Sequence, residues 1–572
     1  MRFRVQVACK AAMIFLVSQH FVFAQEPLRV EVVGSPHVRL APIVLRVTNA
    51  APQPTCENIT SLKLPNTTIV SAITVPRGQF QVPAGPGADM QGPPHALDRA
   101  DEPAKLPAFC RVRITIAPAI KMEVWMPAAG WNGDFEAVGN GGKAGSISYP
   151  AMATALKDGY ATASTDTGHE GGENQTAWAF HHPELIADFA HIAIHDMTVT
   201  AIKVISSYYG TGPKFSYFNG CSTGGRQGLM EAQRYPDDYN GILSGAPVIG
   251  YTHLQAAHFS IALRTRKVPG SYFPPSKLPE INKSSVATCD AIDGVRDGLI
   301  EDPLKCSFRN DPSALLCKGD ESPTCLTATQ LQTLKDIYAG YGDPRGQVVY
   351  PGFMPGHETG WNLFTMAGAD PSEPFTDESA VGAAGFFKYF VFDNPNWNFL
   401  TWNYDKDMPF TDKKLASEIN ATDPDLKPFR AHGGKLLLYH GWTDPGVSPL
   451  ETIEYYENMV AHVSGTKANA PGHETPAFID RIKNAEDFGT LFMVPGMDHC
   501  GGGPGPNMFD AFGSLVNWVE HDQAPRKIIA SQMTDGAVSR TRPLCPYPMT
   551  AHYTGRGSTD DAANFECSLP GR

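Results

Sequence analysis

Residues 214–236 read KFSYFNGCSTGGRQGLMEAQRYP, a strand, a sharp turn and a helix in succession. KFSYFNG alternates apolar and polar side chains as a strand does, while GGRQGLMEAQRYP after it is a helical segment that Pro236 stops. Between them Gly220-Cys221-Ser222-Thr223-Gly224 fits G-x-S-x-G, in which small flanking residues permit a sharp strand-to-helix turn that exposes the serine. Ser222 then stands at a sheet edge beside a helix N-terminus, whose dipole favours developing negative charge. A phosphate-binding loop is the competing reading, and it lacks the Gly-Lys-Ser/Thr sequence that such loops need.

Outward from this turn, strand and helix signals alternate. KMEVWMP (121–127), DFEAVGNGG (134–142) and YATASTDTG (160–168) precede a helical stretch at 183–209, and KLLLYHG (435–441) and TLFMVPG (490–496) repeat the pattern late in the chain. Apolar runs ending in turn residues, separated by helices, predict parallel strands with crossover connections. Residues 249–420 differ: they are rich in Pro, Gly and aromatics, hold four cysteines and show little alternation. This segment reads as an insertion between strands, at the end of the sheet where ligands bind, and is expected to form a lid. An accessory domain far from the site is the alternative.

A serine hydroxyl needs a base to take its proton and a carboxylate to orient that base. For a serine on such a turn the partners are expected in the order acid, then histidine. Asp444 follows KLLLYHG and His499 follows TLFMVPG, each on a loop past a predicted strand. His440 and His169 are further histidines near these loops. Asp498 is a rival acid, but a residue adjacent to His499 is badly placed to orient its ring, so Asp444 is preferred.

The chain has 572 residues, enough for several domains or one large enzyme, and 42% hydrophobic with 18% charged residues excludes disorder. Residues 1–24 carry Arg2, Arg4 and Lys10, then an apolar run and Val-Phe-Ala before Gln25, the layout of a cleaved signal peptide. Its removal takes the formal net charge from −13 to −16, because no acid leaves with it. Such an acidic chain excludes nucleic acid as a partner, and no later segment is long and apolar enough to span a membrane. Eleven cysteines become ten once Cys9 is removed, an even count that reads as disulfides in an exported protein. The sequence alone permits many pairings.

Cys221-Ser222, Asp444 and His499-Cys500 together resemble the CS-D-HC motif of the tannase and feruloyl esterase family. WNGDFEAVGNGG (131–142), STDTGH (164–169), QRYPDDYNGILSGAP (233–247) and RTRPLCPYP (540–548) extend the resemblance over nearly the whole mature chain. The resemblance implies an α/β-hydrolase core of residues 25–248 and 421–572 with an inserted lid domain at 249–420. It implies a Cys221–Cys500 disulfide that holds Ser222 near His499. It implies an oxyanion hole from the backbone N–H groups of Thr223 and Gly139. Further implied pairs are Cys56–Cys110, Cys289–Cys306, Cys317–Cys325 and Cys545–Cys567. In the lid, the Gly-punctuated acidic loop at 289–299 suits a hard cation. The family places structural Ca2+ there, held by residues matching Asp290, Asp293 and Asp297 and by the carbonyls of Val295 and Leu299.

These readings converge on a secreted or periplasmic serine esterase that uses Ser222, Asp444 and His499, with no organic cofactor, on small aromatic or plant-polymer-linked phenolic esters. A secreted serine peptidase and a non-catalytic binding protein of the same fold are the alternatives. The aromatic segment 386–404 is a candidate to stack on the phenolic acyl group, or else forms the lid's own core. The family includes hydrolases of a terephthalate monoester that use a lid arginine. No arginine lies between Lys388 and Trp402, so that specialisation gains no support.

Overall fold

A nine-stranded sheet organises the molecule, and its strands are numbered here in chain order. They are β1 (Thr67–Val75), β2 (Phe109–Ile116), β3 (Ile120–Pro127), β4 (Phe135–Val138), β5 (Ala161–Thr165), β6 (Ser216–Cys221), β7 (Gly241–Gly245), β8 (Lys435–Gly441) and β9 (Gly489–Val494). The spatial order is β1-β2-β3-β5-β4-β6-β7-β8-β9. The computed structural model describes residues 55–83, 105–466 and 476–569. The expected signal peptide at 1–24 and Cys9 lie outside the described residues.

From β5 to β9 every neighbouring pair is parallel. These strands are apolar throughout because helices cover both faces: every residue of β5, β6, β7 and β9 is buried. The other edge departs from the expectation of parallel strands. KMEVWMP, as β3, runs antiparallel to both β2 and β5. The cause is connectivity: only Ala117, Pro118 and Ala119 link β2 to β3, and a link that short forces strand reversal.

The chain between β7 and β8 contributes to two further apolar cores, the first shared with Ile186, Phe189 and Val447 outside it and the second wholly its own. One gathers Phe259, Phe386, Phe387, Phe390 and Trp402, and the other gathers Phe273, Ile281, Leu334, Tyr338 and Trp361. Four of the nine aromatics at 386–404, Phe386, Phe387, Phe390 and Trp402, are therefore interior packing, the first three at 0% exposure. Their reading as a stacking surface for substrate is replaced at those three positions by the core reading, because a buried ring cannot meet a ligand.

All five disulfides pair as the resemblance implies: Cys56–Cys110, Cys221–Cys500, Cys289–Cys306, Cys317–Cys325 and Cys545–Cys567. Cys221–Cys500 spans 279 positions with its Cα atoms 6.0 Å apart. It ties the end of β6 to the loop after β9.

Candidate active site

Ser222 sits between β6 and the helix Thr223–Arg234 with φ 64° and ψ −124°. This positive φ is unfavourable for a residue with a side chain, so the surroundings must impose it. Close packing does so. A Cβ on Gly220 would lie 2.6 Å from the Gly224 carbonyl carbon, and one on Gly225 would lie 2.3 Å from the Gly245 oxygen. Only glycine at these places lets strand and helix approach closely enough to make the turn.

Asp444 lies on the loop after β8, 1% exposed, and all its acceptor capacity is directed. Its Oδ1 accepts the N–H groups of Gly446 and Val447, each at 2.8 Å. Its Oδ2 accepts Nδ1–H of His499 at 2.6 Å and Nε2–H of His440 at 3.1 Å. Burial works to raise the Asp444 pKa, but the charge and hydrogen bonds of the two imidazoles outweigh it and hold the carboxylate well below its usual range. For His499, burial opposes protonation, yet the Asp444 charge and hydrogen bond win and raise its pKa above 6.5. Because Nδ1 serves Asp444, Nε2 is left as the basic atom.

Asp498 is engaged elsewhere. Both its oxygens lie 2.8 Å from His357 Nδ1, and Oδ1 also accepts the Thr443 hydroxyl at 3.1 Å. The two candidate acids are thus sorted by partner: Asp444 orients His499, and Asp498 anchors the insertion through His357. His169 is remote in role, stacked on Trp178 with its Nε2–H donating to the Lys143 carbonyl at 2.9 Å.

Ser222 Oγ makes no hydrogen bond to His499. The two residues are instead brought together through their neighbours, since Cys221 and Cys500 are bonded. Such contacts commonly tighten only when substrate is bound.

The N–H of Thr223 is the first in its helix and has no intrahelical acceptor, as expected at a helix start. Gly139 must be corrected as an oxyanion donor. Its N–H donates to the Asn219 carbonyl at 2.9 Å, continuing the β4–β6 ladder one residue past Val138. The following loop is bolted to the serine's helix: Gln227 Oε1 accepts the Asn140 N–H at 3.0 Å, and the Thr223 hydroxyl donates to the Gly142 carbonyl at 2.5 Å. Among the described residues, the N–H groups of Gly141 and Gly142 meet no acceptor.

The insertion reaches the site through residues the sequence did not single out. The Phe364 ring meets the His499 ring edge-on at 5.5 Å between centroids. Thr365 donates to the Pro445 carbonyl at 2.5 Å, and His258 Nε2–H donates to the Gly446 carbonyl at 2.7 Å. Burial pushes His258 down to about 4, so it remains a neutral buttress of the Asp444 loop at ordinary pH. Nothing in the local sequence marks these roles, because each depends on a contact between distant segments.

The acidic loop of the insertion combines directed and open oxygens. Asp290 Oδ1 accepts the N–H groups of Asp297 and Gly298, and Asp293 Oδ1 accepts that of Val295. The second oxygens of Asp290 and Asp293 and the carbonyls of Val295 and Leu299 meet no donor among the described residues. Asp297 is shared: Oδ1 accepts the Leu299 N–H, while Oδ2 is paired with Arg542. Burial, followed by the charges of Asp297 and Asp290, raises Asp293 to about 6. An all-oxygen donor set with two half-buried carboxylates, Asp290 and Asp293, that have open oxygens fits a hard cation.

Residues 106–568 match the family model described as tannase and feruloyl esterase. An uncharacterized esterase of Xanthomonas campestris pv. campestris is 38% identical over 563 residues, covering 92% of this chain and 93% of that one. A probable feruloyl esterase B-1 of Aspergillus oryzae is 30% identical over 510 residues, covering 85% and 89%. The crystal structure of feruloyl esterase B from Aspergillus oryzae superposes with a TM-score of 0.75 at 28% identity, covering 90% of this chain and 99% of that one. The serine turn, the ordered acid and histidine after β8 and β9 and the disulfide between their loops thus occur in a chain that belongs to the tannase and feruloyl esterase family, as a carboxylic ester hydrolase of the α/β-hydrolase fold.

Proposed function

We propose that the protein is an exported serine esterase that cleaves feruloyl, other hydroxycinnamoyl or galloyl esters through an acyl-enzyme. The observation that carries this reading is the 2.6 Å contact of His499 Nδ1 with the buried Asp444, one residue from a disulfide to the neighbour of Ser222. Ser222 Oγ attacks the ester carbonyl carbon while His499 Nε2 takes its proton. The Thr223 N–H and an amide of the Gly141–Gly142 pair receive the oxyanion, which is strongest stabilised where donors are fixed in advance. Collapse breaks the bond to the alkoxy oxygen, which leaves with the proton from His499. Water then attacks the acyl-serine by the same route and releases the phenolic acid, restoring the hydroxyl of Ser222.

The insertion acts as a lid whose Phe364 lines the acyl side of His499. Asp290, Asp293 and Asp297, with the carbonyls of Val295 and Leu299, would hold Ca2+, which would stiffen the lid and take no part in aryl-ester cleavage. Five disulfides suit a secreted or periplasmic location.

The deciding experiment is turnover on methyl hydroxycinnamates, methyl gallate, terephthalate monoesters and peptides, with Ser222→Ala beside the wild type. Aryl-ester turnover that falls by several powers of ten in a folded Ser222→Ala protein is expected. Peptide cleavage without aryl-ester cleavage would select the peptidase alternative. A wild-type Ser222 that resists organophosphonate labelling would select the non-catalytic one.

A further inference from the structure

At the far end of the helix that begins after Ser222, three side chains from three elements converge. His195 lies in the first turn of the helix Ala193–Tyr209, Glu231 in the last turn of the helix Thr223–Arg234, and Asp238 in the turn before β7. One donor atom from each lies within 4.8 Å of the other two. His195 Nδ1 is 2.7 Å from Asp238 Oδ2, and its ring stacks on Tyr235 at 3.9 Å with 10° between planes, which fixes where Nδ1 points.

Glu231 supplies the independent observation. Its exposure is 0%, and neither carboxylate oxygen meets an N–H or hydroxyl donor, with the Asp238 carboxyl lying beside it. Buried polar groups in folded proteins are almost always satisfied, and a buried charge needs a counter-charge. No cationic side chain pairs with Glu231 among the described residues. The position is reachable, because the side chains of His195 and Asp238 keep 31% and 13% of their surface open to solvent.

We propose that His195, Glu231 and Asp238 form a binding site for one divalent transition-metal ion of the Zn2+ class. One imidazole nitrogen with two carboxylates suits Zn2+, Co2+ or Mn2+, with water completing the shell. Ca2+ is disfavoured, since it prefers six to eight oxygen ligands. On binding, the ion takes the place of the proton between His195 Nδ1 and Asp238 Oδ2, and that proton is released to solvent. The ion neutralises Glu231 and pins the end of the serine's helix to its two neighbours. Glu231 is nine residues beyond Ser222, about 13 Å along the helix at 1.5 Å per residue, so the ion has no part in the ester chemistry.

The competing arrangement is a protonated Glu231 that donates to Asp238, and it needs no metal. The test uses the full mature protein stripped with dipicolinate, then titrated with Zn2+ or Co2+ and followed by bound-metal analysis, calorimetry and melting temperature. Wild type is expected to bind one equivalent more than His195→Asn, Asp238→Asn or Glu231→Gln, to release protons on binding and to gain melting temperature that the variants do not gain. Asp293→Asn, in the calcium loop, should keep the equivalent. Aryl-ester turnover of the stripped wild type at low temperature should be unchanged. The His195 side chain is 31% exposed, so His195→Asn decides the matter even if Glu231→Gln fails to fold. Equal stoichiometry in wild type and His195→Asn overturns the proposal. So does a Glu231→Gln protein that is more stable than a wild type indifferent to Zn2+, which would identify the protonated acid.

Discussion

Replacing Cys221 and Cys500 together by alanine separates what their bond does for stability from what it does for catalysis. The bond closes a loop of 279 positions. Chain-entropy theory then assigns it about 5.6 kcal/mol at 25 °C, an upper figure because engineered and native bonds often give less. Most of a typical domain's stability is of that order, so the double variant must be assayed in the cold, where circular dichroism shows it folded. The catalytic effect is geometric. Ser222 is held at φ 64° and Cys500 at φ 61°, two unfavourable conformations next to the bond that joins them. Without the bond both loops relax, and Ser222 Oγ and His499 Nε2 sample separations too long for proton transfer. A misplacement of about 1 Å costs on the order of a hundredfold in rate. Turnover of a methyl hydroxycinnamate should therefore fall about a hundredfold in the folded variant, and organophosphonate labelling of Ser222 should slow in parallel. Removing Cys317–Cys325, which spans 8 positions in the insertion, should leave the rate near wild type. A folded double variant with wild-type turnover would refute the argument, as would peptide mapping that finds both cysteines as free thiols.

Asp444→Asn should lower kcat on the order of ten-thousandfold with the protein still folded, because the amide cannot fix the His499 tautomer or stabilise its imidazolium; a loss below tenfold would transfer the orienting role to another acid. The acid limb of kcat/KM should lie above pH 6.5, since the Asp444 carboxylate raises His499 and only the neutral imidazole accepts the Ser222 proton. A limb at or below 6.5 would contradict that coupling. The same raised pKa makes the His499 contribution to stability complete below 6.5 and lost as pH rises through its folded value, whereas the depressed Asp444 contribution is lost only in strong acid. Calcium chelation should lower the melting temperature before it lowers turnover in the cold; Asp293→Ala that abolishes turnover at unchanged stability would show that the loop serves chemistry instead.

The serine turn and the strands that carry the acid and the base were legible in the order of residues alone. KLLLYHG is β8 to the residue, and TLFMVPG is β9 displaced by one at its start, because a strand buried on both faces leaves an unbroken apolar run. G-x-S-x-G was legible because a Cβ on Gly220 would stand 2.6 Å from the Gly224 carbonyl carbon, four residues on, so the need for glycine there is local. The disulfide partners came from resemblance rather than from spacing, since ten cysteines carry no pairing information of their own.

The remaining features of the site follow from contacts made in the folded chain. Which carboxylate faces His499 depends on which loop approaches from which side: Asp444 arrives at Nδ1, and Asp498 turns away to His357. The N–H of Gly139 was lost as an oxyanion donor to a ladder partner on β6, some 80 positions away in the chain. Phe364 against His499, His258 beneath the Asp444 loop and the meeting of His195 with Glu231 and Asp238 are all contacts between distant segments. Local sequence sets periodicity and turn chemistry, but the partner of a buried polar group is chosen by whatever the completed fold brings within about 3 Å of it.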